Sequence, residues 1–265
     1  RGSYGDVTVD VSKFNAYVKR TIAIPDIVDP NKITTGVVID PDGTVRHVPT
    51  AIELIDGMYY ATINSLTNST YAVISNPVAF KDVDGHWAEK AVNDMGSRLV
   101  ISGIGDGLYN PDHAITRAEF AVIMMRALGF HANRGATPFS DVRSSDWYSG
   151  AVVTAFDYKL ISGYEDDSFR PQQQITREQA MVMVASEMEV TGLKAPLPAQ
   201  DSYKIEQAYD DADQVSEWAR NSVAAVLQAG ILTGRGNSQL APQAFITRAE
   251  VAVIIQRLLQ RSELI

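Results

Sequence analysis

Three apolar blocks recur along the C-terminal two thirds of the chain: FAVIM at 120–124, AMVMV at 180–184 and VAVII at 251–255. Segments apolar on almost every face predict helices buried on most sides. Upstream of each block a second, amphipathic pattern follows a tryptophan. Small or apolar residues stand four, five and eight places after Trp87, Trp147 and Trp218: Ala91, Val92 and Met95; Ala151, Val152 and Ala155; Ser222, Val223 and Val226. That spacing is the 3.6-residue period of a half-buried helix. Residues 1–79 follow a different rule. TGVVIDPDGTVRHVPT and AIELIDGMYYATI alternate apolar with polar around PDG and DG, which predicts hairpins, and STYAVI supplies a further strand. DVTVDV and TIAIPDIV add to this β region, and Pro77 marks its junction with the helices.

The helical part is an internal repeat. Aligned on Arg117, Arg177 and Arg248, a tryptophan lies thirty residues upstream, a glycine (Gly103, Gly163, Gly234) fourteen, and a proline (Pro111, Pro171, Pro242) six. Four markers in fixed phase over three copies make a strong repeat signal. The second period is longer than the first, and LKAPLPAQDSYKIEQ at 193–207 takes up the difference. Each copy reads helix, loop, helix. The first helix ends near VISG, LISG or ILTG, where the glycine suits a left-handed cap. The loops GIGDGLYNP, GYEDDSFRP and GRGNSQLAP are rich in turn formers. The second helix opens at ITRAE, ITREQ and ITRAE. There Thr116, Thr176 and Thr247 with Glu119, Gln179 and Glu250 form capping boxes.

A cation directly after each capping threonine opposes the helix dipole by about 0.3–1 kcal/mol at an exposed site. With free helical N–H groups beside it, a guanidinium fork there suits a carboxylate or phosphate. On this reading, replacing an arginine weakens binding while stability holds or rises slightly.

Composition narrows the options. The 265 residues carry a net charge of −9, pI near 4.9, with no basic run, which argues against nucleic acid. No apolar stretch reaches the roughly 18–20 residues of a membrane span. Cysteine is absent, removing disulfides and thiolate sites. DVDG at 82–85 lacks the other ligands of a calcium loop, and the four histidines follow no metal or triad spacing. The RGS start reads either as an appended scar or as the cut end of something longer, so a fragment is expected.

The stretches FKDVDGHWAEKAV…VISGIGDGLYNPDHAITRAEFAVIM, FSDVRSSDWYSGAV…LISGYEDDSFRPQQQITREQAMVMV and YDDADQVSEWARNSV…ILTGRGNSQLAPQAFITRAEVAVII resemble surface-layer homology (SLH) repeats. The resemblance implies an α+β multidomain chain. The hairpin runs read as an N-terminal all-β, immunoglobulin-like sandwich (1–79), and the all-apolar helices as a central three-helix bundle; the resemblance arranges the three SLH repeats (80–130, 138–192, 208–265) around it as a mainly α, pseudo-threefold module. It also implies non-covalent anchoring of an exoprotein to the cell wall of a Gram-positive bacterium. The ligand would be a secondary cell wall polymer carrying pyruvylated N-acetylmannosamine, bound in inter-repeat grooves, with the arginines meeting the acidic sugar. No cofactor, metal, catalytic residue, nucleic acid or membrane insertion is expected, and the chain should be monomeric.

The candidate ligand-binding set is Arg117, Arg177, Arg248, Trp87, Trp147, Trp218, Asp82, Asp141, Asp211, Gly103, Gly163, Gly234, Glu119, Gln179 and Glu250. Within it the tryptophans read either as core or as stacking platforms for a sugar. The aspartates read either as caps of the first helix or as partners of sugar hydroxyls. The third repeat departs most: YDDA replaces the Asp-Val element, and its loop lacks the aromatic of the others (Tyr109, Phe169) and gains Arg235. The first or second groove is therefore expected to dominate, and the β region to be a spacer dispensable for binding. Two other readings compete: a carbohydrate-active enzyme fragment, and an S-layer self-assembly module.

Overall fold

In each repeat a threonine hydroxyl accepts the amide of the residue three places on, and that residue's side chain reaches back to the threonine amide. The capping box is complete at Thr116/Glu119, Thr176/Gln179 and Thr247/Glu250. It launches the three motif helices, α2 (Arg117–Ala127), α4 (Arg177–Thr191) and α6 (Arg248–Arg261). The amphipathic pattern gives the shorter α1 (Glu89–Ser97), α3 (Ser149–Asp157) and α5 (Arg220–Gln228). The computed structural model describes residues 2–4, 7–9, 13–40, 42–133, 135–194 and 208–265. Most of the extra connection at 193–207 lies outside the described residues. No described helix is long and apolar enough to cross a membrane.

The helices do not pair within their own repeats. α2 packs on α3, α4 on α5, and α6 returns to α1, so each motif helix seats the first helix of the following repeat in a closed cycle. At the centre the segments entering the motif helices form a ring. Ile115 N–H donates to Ile246, Ile246 to Ile175 and Ile175 to Ile115, at 3.1–3.3 Å. All three isoleucines are fully buried. Where a three-helix bundle is expected, the convergence therefore happens at the helix starts. Along their lengths the motif helices lean outward on the amphipathic ones, because a helix apolar on all sides must be covered on all sides.

The β region folds as its turns dictate. Strands β1 (Gly2–Tyr4) and β2 (Val7–Val9) pair with each other. β3 (Lys13–Ala23), β7 (Met58–Thr67) and β6 (Thr50–Ile55) form one antiparallel sheet in the order β3-β7-β6. β5 (Val45–Val48), β4 (Thr35–Ile39) and β8 (Thr70–Ile74) form another, β5-β4-β8. Both predicted hairpins are present, β4–β5 and β6–β7. The second turns through Asp56 and Gly57, both at positive φ as a two-residue turn of this kind requires. The sheets meet through Val38, Val48 and Ile63.

The β region also docks on the repeats. Tyr17 Oη donates to the Leu128 carbonyl at 2.9 Å, Asn64 Nδ2 to Leu264 at 3.2 Å, and Arg46 to Gly129. In return Arg98 Nη1 donates to the Thr50 carbonyl at 3.2 Å, and Leu66 joins the hydrophobic cluster of the repeats.

Candidate functional site

Each loop before a motif helix is folded over an aspartate. Asp82 accepts the amides of Tyr109 and Asn110, Asp141 those of Phe169 and Arg170, and Asp211 those of Leu240 and Ala241, all at 2.6–2.8 Å. The aspartates are thus loop clamps rather than caps of the first helices. At Asp82, which is exposed, the slight loss of hydration under the loop raises the pKa, but the amides of Asn110 and Tyr109 and the charge of Arg248 together bring it below the ordinary value.

The repeated glycines are likewise not caps. The left-handed residues after the first helices are Leu99, Lys159 and Gly230. Gly103, Gly163 and Gly234 are fixed instead by close approach. A Cβ on Gly103 would stand 2.5 Å from the Leu108 carbonyl, and one on Gly234 2.6 Å from that of Gln239. Gly103→Ala should therefore cost about 1–3 kcal/mol, the usual range for overpacking a tight site. Denaturant unfolding that shows less than about 0.5 kcal/mol would contradict this close packing.

The arginines depart furthest from expectation. Their exposures are 7, 2 and 8% for Arg117, Arg177 and Arg248. Nor are the helix-start amides free. Arg117 N–H donates to Gln173 and Ala118 to Pro171; Arg177 to Ala244 and Glu178 to Pro242; Arg248 to His113 and Ala249 to Pro111. Each guanidinium then reaches the next repeat in the cycle. Arg117 Nε and Nη2 donate to Phe169 and Ser162, Arg177 to Leu240 and Thr233, and Arg248 to Tyr109 and Ser102. An anion grip on open helical amides is therefore not what these residues form; the fork staples two repeats and leaves Nη1 for other partners.

Those partners differ. Arg177 Nη1 meets Glu250 at 2.5 Å, and Arg248 Nη1 lies 3.7 Å from Glu119. At the same place in the cycle Arg117 would face Gln179, and it has no ion pair among the described residues. Its guanidinium lies instead over Phe169 and Tyr164, 4.8 and 5.0 Å from the ring centroids. Burial lowers its pKa. Glu250 is shared with Arg235, whose Nη2 lies 2.7 Å away.

The tryptophans stand on the outside. Trp87, Trp147 and Trp218 are 65, 66 and 60% exposed, so the core reading fails for all three. Two grooves bring the candidate residues together. One, of about 730 Å³, is lined by Trp218, Arg117, Gly163, Tyr164 and Gln179. The other, of about 810 Å³, is lined by Trp87, Arg177, Gly234, Arg235 and Glu250. Each thus takes its tryptophan, arginine and loop from three different repeats. Tyr164, Arg257 and Phe245 line grooves without having been singled out in the sequence; only Tyr164, in a loop position next to a repeated glycine, carried any signal. The clamp aspartates lie outside both linings.

The S-layer homology domain family matches residues 79–121, 138–181 and 208–252. Among similar proteins, an amylopullulanase of Thermoanaerobacterium thermosulfurigenes is 31% identical over 97% of this chain, which spans 13% of that protein. A cellulosome-anchoring protein of Acetivibrio thermocellus is 31% identical over 62% of the chain and 36% of its own length. A surface layer protein of Brevibacillus choshinensis is 36% identical over 46% of the chain and 12% of its own. The chain therefore covers a small part of each, and enzyme relatives match it only through that part. The thrice-repeated tryptophan, glycine and arginine, with the family match over the same segments, make this chain a member of the S-layer homology domain family.

Proposed function

We propose that the chain anchors a larger exoprotein non-covalently to the wall of a Gram-positive bacterium, binding a secondary cell wall polymer in its inter-repeat grooves. The repeats act as a pseudo-threefold module, the two facing sheets as an immunoglobulin-like companion, and the unit works as a monomer. The acidic sugar is pyruvylated N-acetylmannosamine, with its carboxylate toward Arg117 or Arg177 and a sugar face on Trp218 or Trp87. The observation that carries this reading is the exposed tryptophan at each groove beside a buried guanidinium. An apolar ring left in water next to a positive charge suits a ligand that is partly apolar and acidic. A carbohydrate-active enzyme would need two opposed carboxylates across a cleft. Here Glu250 is held by two arginines, and Asp82, Asp141 and Asp211 by backbone amides.

The Arg117 groove should hold the carboxylate more tightly, because Arg177 already has Glu250 as an ion-pair partner whereas Arg117 has none among the described residues. Gln179→Glu places the same acid beside Arg117, keeps the capping box, and should weaken the pyruvylated disaccharide in that groove about tenfold or more. Calorimetric titration of the full chain decides it. Unchanged affinity at every site would remove Arg117 from the carboxylate.

A further inference from the structure

A cavity of about 1110 Å³, larger than either groove, opens between the β region and the first two repeats. The β4–β5 hairpin forms one wall, with Asp40, Thr44 and Arg46. Ser102, Arg126 and His131 face it from the repeats. Neither a motif arginine nor a tryptophan lines it, so it differs from the two grooves in the groups it offers, although part of its lining holds equivalent repeat positions.

Its charges are unevenly matched. Asp40 is held by Arg46 at 3.1 Å and by His131 at 3.4 Å. Asp42 accepts the Thr44 amide at 2.9 Å. Arg126 is half-buried, donates to Ser102 Oγ at 3.2 Å, and has no ion pair among the described residues. A guanidinium partly removed from water without a counter-charge favours an anion. Hydroxyl and amide groups of Thr44, Ser144, Ser149 and Asn133 surround the space, while Ile101 and Met125 give it an apolar floor. That mixture suits a sugar with an acidic substituent better than a bare inorganic anion. By repeat register Ile101, Ser102 and Arg126 stand where Leu232, Thr233 and Arg257 stand in the Arg177 groove. Here the β hairpin has become the opposite wall.

We infer that this interdomain cavity is a further saccharide site, in which Arg126 takes the acidic group of a wall-polymer residue and the β4–β5 hairpin shapes the space around it. The inference rests on the wall-polymer reading above. It makes the β region a part of the binding surface and not only a spacer.

The test is calorimetric titration of pyruvylated N-acetylmannosamine disaccharide into full-length variants. In Trp87→Ala/Trp218→Ala, which removes exposed rings from both grooves, a site should persist. Adding Arg126→Gln should weaken that site about tenfold or more. Adding Thr44→Trp, which fills the space from the β side, should abolish it. Melting temperatures confirm that each variant is folded. A persisting site indifferent to both changes would overturn the inference, as would inorganic phosphate binding there as tightly as the disaccharide. Loss of all binding in the tryptophan double variant, with wild-type binding intact, would overturn it and leave the wall-polymer reading standing. No binding to wild type would overturn both.

Discussion

Arg177→Ala should lower stability by about 3–5 kcal/mol, the usual consequence of removing one member of a buried charge pair. The substitution strands the carbonyls of Leu240 and Thr233 and leaves Glu250 with Arg235 as its one ion-pair partner among the described residues. The helix-dipole gain of about 0.3–1 kcal/mol expected from an exposed cation does not compensate, since this one is 2% exposed. Arg177→Lys should recover only a fraction, because one ammonium does not span two carbonyls and a carboxylate as a planar fork does. Arg117→Ala should cost less, having no ion pair among the described residues to break. Denaturant midpoints at constant slope read these values directly. A loss below about 1 kcal/mol for Arg177→Ala, with sugar binding abolished, would return the arginine to a purely ligand-facing role.

Why was this not visible in the sequence? Local signals were: the repeat register, the capping boxes and the hairpin turns each depend on residues within a few places of one another. The arginines act at a distance. Arg248 Nη2 bonds a carbonyl 146 residues away, and only the closure of α6 onto the first repeat brings the two together. The tryptophans misled for a related reason. Each stands just before its helix, where Ala88, Tyr148 and Ala219, the next residues along, fill the buried position and turn the indole outward. The repeated glycines were legible as essential but not as to cause. Their neighbours are a carbonyl and an aromatic ring that lie outside the helix they seemed to end. The docking of the β region left no pattern, because it uses side chains reaching backbone carbonyls, such as Tyr17 on Leu128 and Arg98 on Thr50.

That joint carries two buried titratable groups of opposite sign, and together they set how stability follows pH. Glu187, on α4, is fully buried, and neither carboxylate oxygen has a hydrogen-bond partner among the described residues. Burial holds its pKa well above 4.5; nearby Tyr17, from β3, is raised by burial and by Glu187. The folded protein keeps a proton that the unfolded chain releases above 4.5, so stability falls as pH rises from there toward the folded pKa. His47, on β5, is lowered from 6.5 to about 3, chiefly by burial and then by Arg98. The unfolded chain takes up a proton below 6.5 that the folded one refuses, so stability falls as pH drops from 6.5 toward 3. Between 4.5 and 6.5 the two slopes oppose and these groups leave a plateau. Glu187→Met keeps the volume and removes the carboxyl. It should raise stability at pH 8 and flatten the alkaline limb by up to about 1.4 kcal/mol per pH unit, leaving the acidic limb unchanged. Denaturant midpoints for both proteins from pH 4 to 8 give the answer. Curves that stay parallel above pH 6.5 would mean that Glu187 is ionised in the folded protein.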